Sequence, residues 1–513
     1  MLTIKMKRVE YGVFFGLVWL LGGCATPMSD TPAVLVKSAQ FEIFSTMSAE
    51  KTKALALELE RFDALIYATT NAPRVPPVVP TRIFAFERRI EYAKYGPSQT
   101  RGVFTSTMRD NRIVIADYSS SISATEVMLH EYVHFVLRNG ATKSYPLWYD
   151  EGFAEFLSTA QSYKEDHIAL GAFPKARLSA FQNVKWVPLR RVIAASTYDD
   201  LKGRDKFMLY PESWALVHYL FLDREKTSRP VAQEIADYLG QVGSGTTPHV
   251  AFEAAFGETT DSASAKIQKI LKNGDLRVIA VPVSSLEYDE SEPSVRLLNK
   301  GEVALRLGEL SLAKGKFEDA ENEFRTAIAG NPNDSRAFVG LGDALKFQGR
   351  YEEAEKEFDR ALEIDADNAL NQLDYAEFLE HVARETEYGE KRSALFAQAR
   401  AAYERSHELD DSIPETLAMH GGTYAAPGEK AALGYPMVLK ALKMMPANPM
   451  LLGKMAESAL AIDREYEARD WLARQFATSA GGGAEKEIAK GLEALKEARA
   501  KEEAIAEGQA PDA

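Results

Sequence analysis

The stretch SATEVMLHEYVHFVLRNG at 123–140, followed at 146–155 by PLWYDEGFAE, decides how this chain is read. Apolar residues recur at helical spacing from Val127 to Leu137, and Asn139-Gly140 makes a C-terminal stop. Ser123 with Glu126 has the spacing of a capping box, so one helix is predicted here. On it, His130-Glu131-Tyr132-Val133-His134 forms an H-E-x-x-H segment. Residues four apart share a helix face, so both imidazoles can reach one ion, while Glu131 projects nearby and is suited to taking a proton from water. Alone, the segment fits equally an amphipathic helix with two partly exposed histidines.

The second segment, Pro146-Leu147-Trp148-Tyr149-Asp150-Glu151-Gly152-Phe153-Ala154-Glu155, resembles the W-L-x-E-G-x-A stretch of gluzincin metallopeptidases. These include aminopeptidase-N relatives and the peptidase MA-like families. The resemblance implies zinc (Zn2+) as cofactor, held by His130, His134 and Glu151, with Glu131 as catalytic base. Two imidazoles and a carboxylate leave a fourth position for water, as catalytic zinc sites do. Glu155, one turn after Glu151, is expected either to accept the free N–H of a ligand histidine or to be a solvated helix carboxylate. Tyr210-Pro211-Glu212-Ser213-Trp214 resembles the tyrosine-led helix of the same superfamily. That implies a hydrogen bond from Tyr210 to the developing oxyanion. Tyr219 competes for this role, and His218 is read as a packed or surface histidine.

Two departures narrow the activity. The gap from His134 to Glu151 is shorter than in the aminopeptidase-N family, and the G-x-M-E-N segment that holds a substrate's free amine is absent. GVFTST and NRIVIAD, flanking Met108-Arg109-Asp110, occupy its place and predict a β-hairpin. An endopeptidase acting on peptide or protein substrate is therefore expected, with the hairpin strand available for main-chain pairing.

Outward from this centre, FEIFST and TRIFAFE read as strands, and the run AEKTKALALELERFDALIYATT between them as a helix. At the N-terminus, Lys5, Lys7 and Arg8 precede an apolar run from Tyr11 to Leu21 that is too short to span a bilayer. Leu21-Gly22-Gly23-Cys24 resembles a bacterial lipobox, and Cys24 is the single cysteine of the 513-residue chain. The resemblance implies lipidation of Cys24 and membrane attachment at the cell envelope, with Ala25 matching the default pattern for the outer membrane facing the periplasm.

Beyond residue 295 the chain repeats itself. Gly308, Ala320, Phe324 and Ala327 recur 34 residues later as Gly342, Ala354, Phe358 and Ala361. Period and small/aromatic positions resemble the tetratricopeptide repeat, a helix–turn–helix unit that presents surfaces to protein partners. Ala399, Tyr403 and Ser406 stand 45 residues beyond Ala354, Phe358 and Ala361, an insertion of 11.

The expected fold class is thus an α+β zincin-like catalytic domain, a mixed sheet plus active-site helices, followed by an all-α tetratricopeptide-repeat solenoid. The expected division is a signal peptide at 1–23, a tether at 24–34, the catalytic domain at 35–280 and a polar linker at 281–295. Repeats follow at 296–480, then a charged helix or tail at 481–513. Residues 1–280 hold 33 basic and 30 acidic side chains, and 281–513 hold 28 and 45. Neither half has the basic surplus of a nucleic-acid footprint. The alternative function is a catalytically inactive repeat scaffold of the envelope.

Overall fold

The computed structural model describes residues 28–506, apart from 71–76, 97–101, 117–121, 140–144, 164–165, 175–176, 198–199, 226–228, 428 and 479–484. The signal segment and Cys24 lie outside the described residues.

A mixed six-stranded sheet organises the N-terminal region. Its strands are β1 (Val34–Lys37), β2 (Phe41–Ser45), β3 (Thr81–Phe86), β4 (Gly102–Ser106), β5 (Asn111–Ala116) and β9 (Ser294–Leu297), in the order β4-β5-β3-β2-β1-β9. β2, β3 and β5 run parallel, while β4, β1 and β9 pair antiparallel with their neighbours. The predicted hairpin is β4–β5, and β4 is an outer edge. A smaller antiparallel sheet joins β6 (Gln161–Tyr163), β7 (His167–Leu170) and β8 (Ile279–Pro282).

Alternation along the strands sends side chains to two separate cores. Ile43, Ile83, Ala85 and Ile113 face the core shared with α1 (Ala49–Thr70) and the helices that carry the site. Among these helices are α3 (Ile122–Asn139), α4 (Leu147–Ser158) and α7 (Arg204–His218), with α5 (Leu178–Asn183) and α6 (Leu189–Ala194) between α4 and α7, while α2 (Arg89–Tyr92) follows β3. Helices α8 (Val231–Gly243), α9 (Pro248–Phe256) and α10 (Thr260–Asn273) complete the region. α3 begins one residue before the predicted cap, so Ser123 lies inside it. Phe44, Phe84, Phe86 and Val114 point to the opposite face, against Val303, Leu307 and Leu310.

Those last three residues belong to α11 (Lys300–Ala313), the first helix of the repeat region. The pairs are α11/α12 (Phe317–Gly330), α13 (Ser335–Phe347)/α14 (Tyr351–Ile364), α15 (Ala369–Glu385)/α16 (Glu390–Leu409), α17 (Pro414–Thr423)/α18 (Ala431–Met444) and α19 (Pro449–Ala461)/α20 (Glu465–Thr478). The repeated small residues are where helices touch. A Cβ on Gly308 would stand 2.8 Å from the Phe324 ring, and one on Gly342 2.8 Å from Phe358. The insertion lengthens the third pair, whose Ala399, Tyr403 and Ser406 are buried as Ala354, Phe358 and Ala361 are. α21 (Glu485–Ala506) caps the array, burying Ile488 and Leu492 beside Leu472. Among the described residues no helix is long and apolar enough to cross a membrane.

The segment 281–295, expected as a linker, is built into the fold at both ends. β8 pairs with β7, and β9 adds a strand beside β1. Each strand is only four residues long and flanks the polar run 284–293, and both stand at sheet edges held by main-chain pairing, so composition did not mark them. Arg306–Glu42 and Arg82–Glu309 ion pairs join α11 to the sheet nearby.

Candidate metal centre

α3 is fixed in the core by Tyr132, whose hydroxyl donates to Asp63 Oδ1 on α1 at 2.7 Å. That leaves His130 and His134 on the helix face toward α4. All twelve residues of α4 are buried, which explains its unbroken apolar character around Asp150, Glu151 and Glu155. Trp148 Nε1 donates to the Tyr238 hydroxyl, tying α4 to α8. Gly152 lets α7 approach closely: a Cβ there would stand 2.4 Å from the carbonyl oxygen of Ser213.

These contacts bring the three predicted donors together. His130 Nε2 lies 3.1 Å from His134 Nε2 and 3.2 Å from Glu151 Oε2, and His134 Nε2 lies 3.5 Å from Glu151 Oε2. Donors bonded at about 2.0–2.1 Å to a tetrahedral ion stand about 3.3 Å apart, so the triangle has the right size for such an ion. Among the described residues this is the one group of three such donors able to share a metal.

Burial opposes a charge on Glu151, but hydrogen bonds from His130 and His134 hold its carboxyl well below the usual carboxylate range. Burial likewise opposes a charge on His134, and the carboxylates of Asp150 and Glu151 outweigh it, pushing the imidazole up to about 10. A cation at Nε2 would replace that proton, because only the deprotonated nitrogen is a ligand.

Around the donors the structure corrects one expectation and adds two residues. Glu155 Oε1 stands 3.6 Å from His130 Nδ1, beyond a direct hydrogen bond. Its carboxylate is engaged by Arg177, which donates from both Nη2 and Nε. The histidine that does have a close carboxylate is His134, whose Nδ1 lies 3.0 Å from Asp150 Oδ1. Neither Asp150 nor Arg177 was singled out from sequence. Asp150 had a readable signal, being adjacent to Glu151 on a helix facing the histidines; Arg177, far along the chain, had none. Glu131 is partly exposed on α3, beside the first donor.

Of the two tyrosines, Tyr210 is the one near the donors, its ring centroid 6.2 Å from that of His130 and 4.8 Å beneath the Arg177 guanidinium. Tyr219 instead donates to Glu258 at 2.7 Å. His218 is buried away from the donors, with Nε2 3.0 Å from the Gly171 carbonyl and Nδ1 2.9 Å from Asp223.

Comparison with known proteins reaches the repeats. The tetratricopeptide repeat family model matches residues 305–369. Similar solved structures include a thermophilic tetratricopeptide repeat protein of Thermus thermophilus, at 19% identity over 38% of this chain and 98% of that one, with TM-score 0.35. Another is pilF of Pseudomonas aeruginosa, at 18% identity over 41% and 88% of the two chains, with TM-score 0.31. No curated protein matches the chain. The chain therefore carries tetratricopeptide repeats behind a region built on a mixed sheet.

Proposed function

We propose that this protein is a zinc-dependent peptidase of zincin-like fold whose tetratricopeptide repeats bind protein. The reading rests on one observation above the rest: three donors on two packed helices, 3.1, 3.2 and 3.5 Å apart, in the set His130, His134 and Glu151. Zinc bound by that set would supply Lewis acidity toward a peptide carbonyl. Glu131 would take the proton of the attacking water and deliver it to the leaving amine. Tyr210 would donate its phenolic hydrogen to the developing oxyanion, and Arg177 above its ring favours that polarity. Asp150 would hold His134 in the tautomer that leaves Nε2 for the metal. Cleavage within chains follows from the missing amine-binding motif, and attachment to the envelope from the Cys24 lipobox.

The second reading, a repeat scaffold with an inactive centre, is the one the comparisons favour, because the family match falls within 305–369. Glu131→Gln separates the two. On the peptidase reading this variant keeps its zinc while cleavage of an unfolded protein such as casein drops by about 100-fold or more. Undiminished cleavage in the variant, or no cleavage by the zinc-loaded wild type, supports the scaffold.

A further inference from the structure

The β4–β5 turn does not end in solvent. Its tip, Thr107 to Asp110, is seated among the first helices of successive repeat pairs, more than two hundred residues away in sequence. Three kinds of contact hold it. Arg109 donates through Nε to Glu415 Oε2 on α17 at 2.7 Å, pairs through Nη1 with Asp374 on α15, and has Glu377 3.6 Å from Nη2. Asn448, at the start of α19, donates from Nδ2 to the Thr107 carbonyl at 2.9 Å. Met108 is buried in an apolar cluster that includes Leu417, Val438, Met445 and Leu451.

This is how a groove receives a peptide: a charged end, a main-chain hydrogen bond and an apolar seat. The acids outnumber what an ordinary domain contact needs. Asp374, Glu377 and Glu415 face one guanidinium, and the nearby Lys346 is already paired with Asp343. Burial and the neighbouring acids push the carboxyls of Asp374 and Glu377 up, and the Arg109 guanidinium works against that push. A planar guanidinium with several donors suits three carboxylates better than an ammonium does. Glu377 also lines a cavity of about 460 Å³, together with Phe347, His381, Met419, Lys454 and, from α21, Leu495.

We propose that this acidic pocket is an arginine-recognition site of the repeat groove, filled here by Arg109, and that a peptide segment with an arginine following an apolar residue takes the same seat and displaces the hairpin. The site is independent of the metal centre, so it stands or falls apart from the peptidase reading. Its consequence does touch that reading: β4 is the sheet edge beside α3, with Phe104 packed 5.5 Å from Phe135, so a ligand in the groove would release the edge next to the candidate metal helix.

The test is fluorescence anisotropy of a labelled peptide spanning Val103–Val114, titrated with the full chain. In the wild type the tethered turn competes at an effective concentration on the order of millimolar, so Arg109→Ala is expected to bind the peptide at least about tenfold more tightly. Adding Asp374→Asn and Glu415→Gln to that variant should abolish binding, as should replacing the peptide's Arg109, but not its Arg112, by alanine. Hydrogen exchange on the wild type guards against misfolded variants, since excess peptide should speed exchange in Gly102–Ser106. Equal binding by wild type and Arg109→Ala, binding that ignores the carboxylates, or exchange in β4 unmoved by saturating peptide would overturn the proposal.

Discussion

His134 presents its two ring nitrogens to different partners: Nδ1 lies 3.0 Å from Asp150 Oδ1, while Nε2 lies 3.5 Å from Glu151 Oε2. Adjacent residues of one helix thus serve the two ends of one imidazole. Asp150 fixes the ring, and Glu151 shares the space in which an ion would sit.

Asp150→Ala should therefore weaken zinc binding without removing a ligand. Loss of a carboxylate that orients a histidine typically costs about 10–100-fold in metal affinity. Competition against a chromophoric chelator measures it, and wild-type affinity in the variant would refute the role given to Asp150.

The close approach of α4 and α7 predicts a contrast between two glycines. A Cβ at Gly152 would stand 2.4 Å from a backbone oxygen, whereas one at Gly240 on α8 meets nothing within 4 Å. Gly152→Ala should cost about 1–3 kcal/mol from overpacking. Gly240→Ala should gain about 0.5–1 kcal/mol by favouring the helix. Denaturant unfolding of both variants checks the sign as well as the size.

Glu212 predicts a pH dependence of stability. Burial holds its carboxyl up at about 8, despite the Val187 N–H donated to Oε1 at 2.6 Å. Its ordinary value is 4.5, so the folded protein keeps a proton that the unfolded chain releases. The stability contributed by that proton is complete below about pH 4.5 and lost as pH rises through about 8, at up to about 1.4 kcal/mol per pH unit. Glu212→Gln keeps an acceptor for Val187 and carries no titrating group. Its thermal midpoint should fall less steeply than that of the wild type between pH 5 and 8, and parallel curves would contradict the assignment.

Much of this architecture could be read from local pattern. The hairpin around Met108-Arg109-Asp110, the histidine helix and the paired repeat helices each follow from spacing within a few turns of chain. His130 and His134 were legible from their spacing on one helix face, and Glu151 from the resemblance of its segment to the gluzincin stretch. What escaped depends on contacts between distant segments. β9 completes the sheet only through main-chain pairing with β1, which leaves no mark on side-chain composition. Arg177 reaches Glu155 from another helix start, and Arg109 reaches Asp374 across 265 residues. Helical spacing left Glu155 two readings, a partner for a ligand histidine or a solvated carboxylate. The guanidinium of Arg177, a stronger partner for a carboxylate, took it instead.

The most direct measurement is zinc content by mass spectrometry of the purified full-length chain after equilibration with zinc and removal of the excess. About one ion per chain is expected in the wild type, retained in Glu131→Gln and lost in Glu151→Ala and His134→Ala. A wild type without zinc, or a Glu151→Ala variant that binds as much as the wild type, would contradict it.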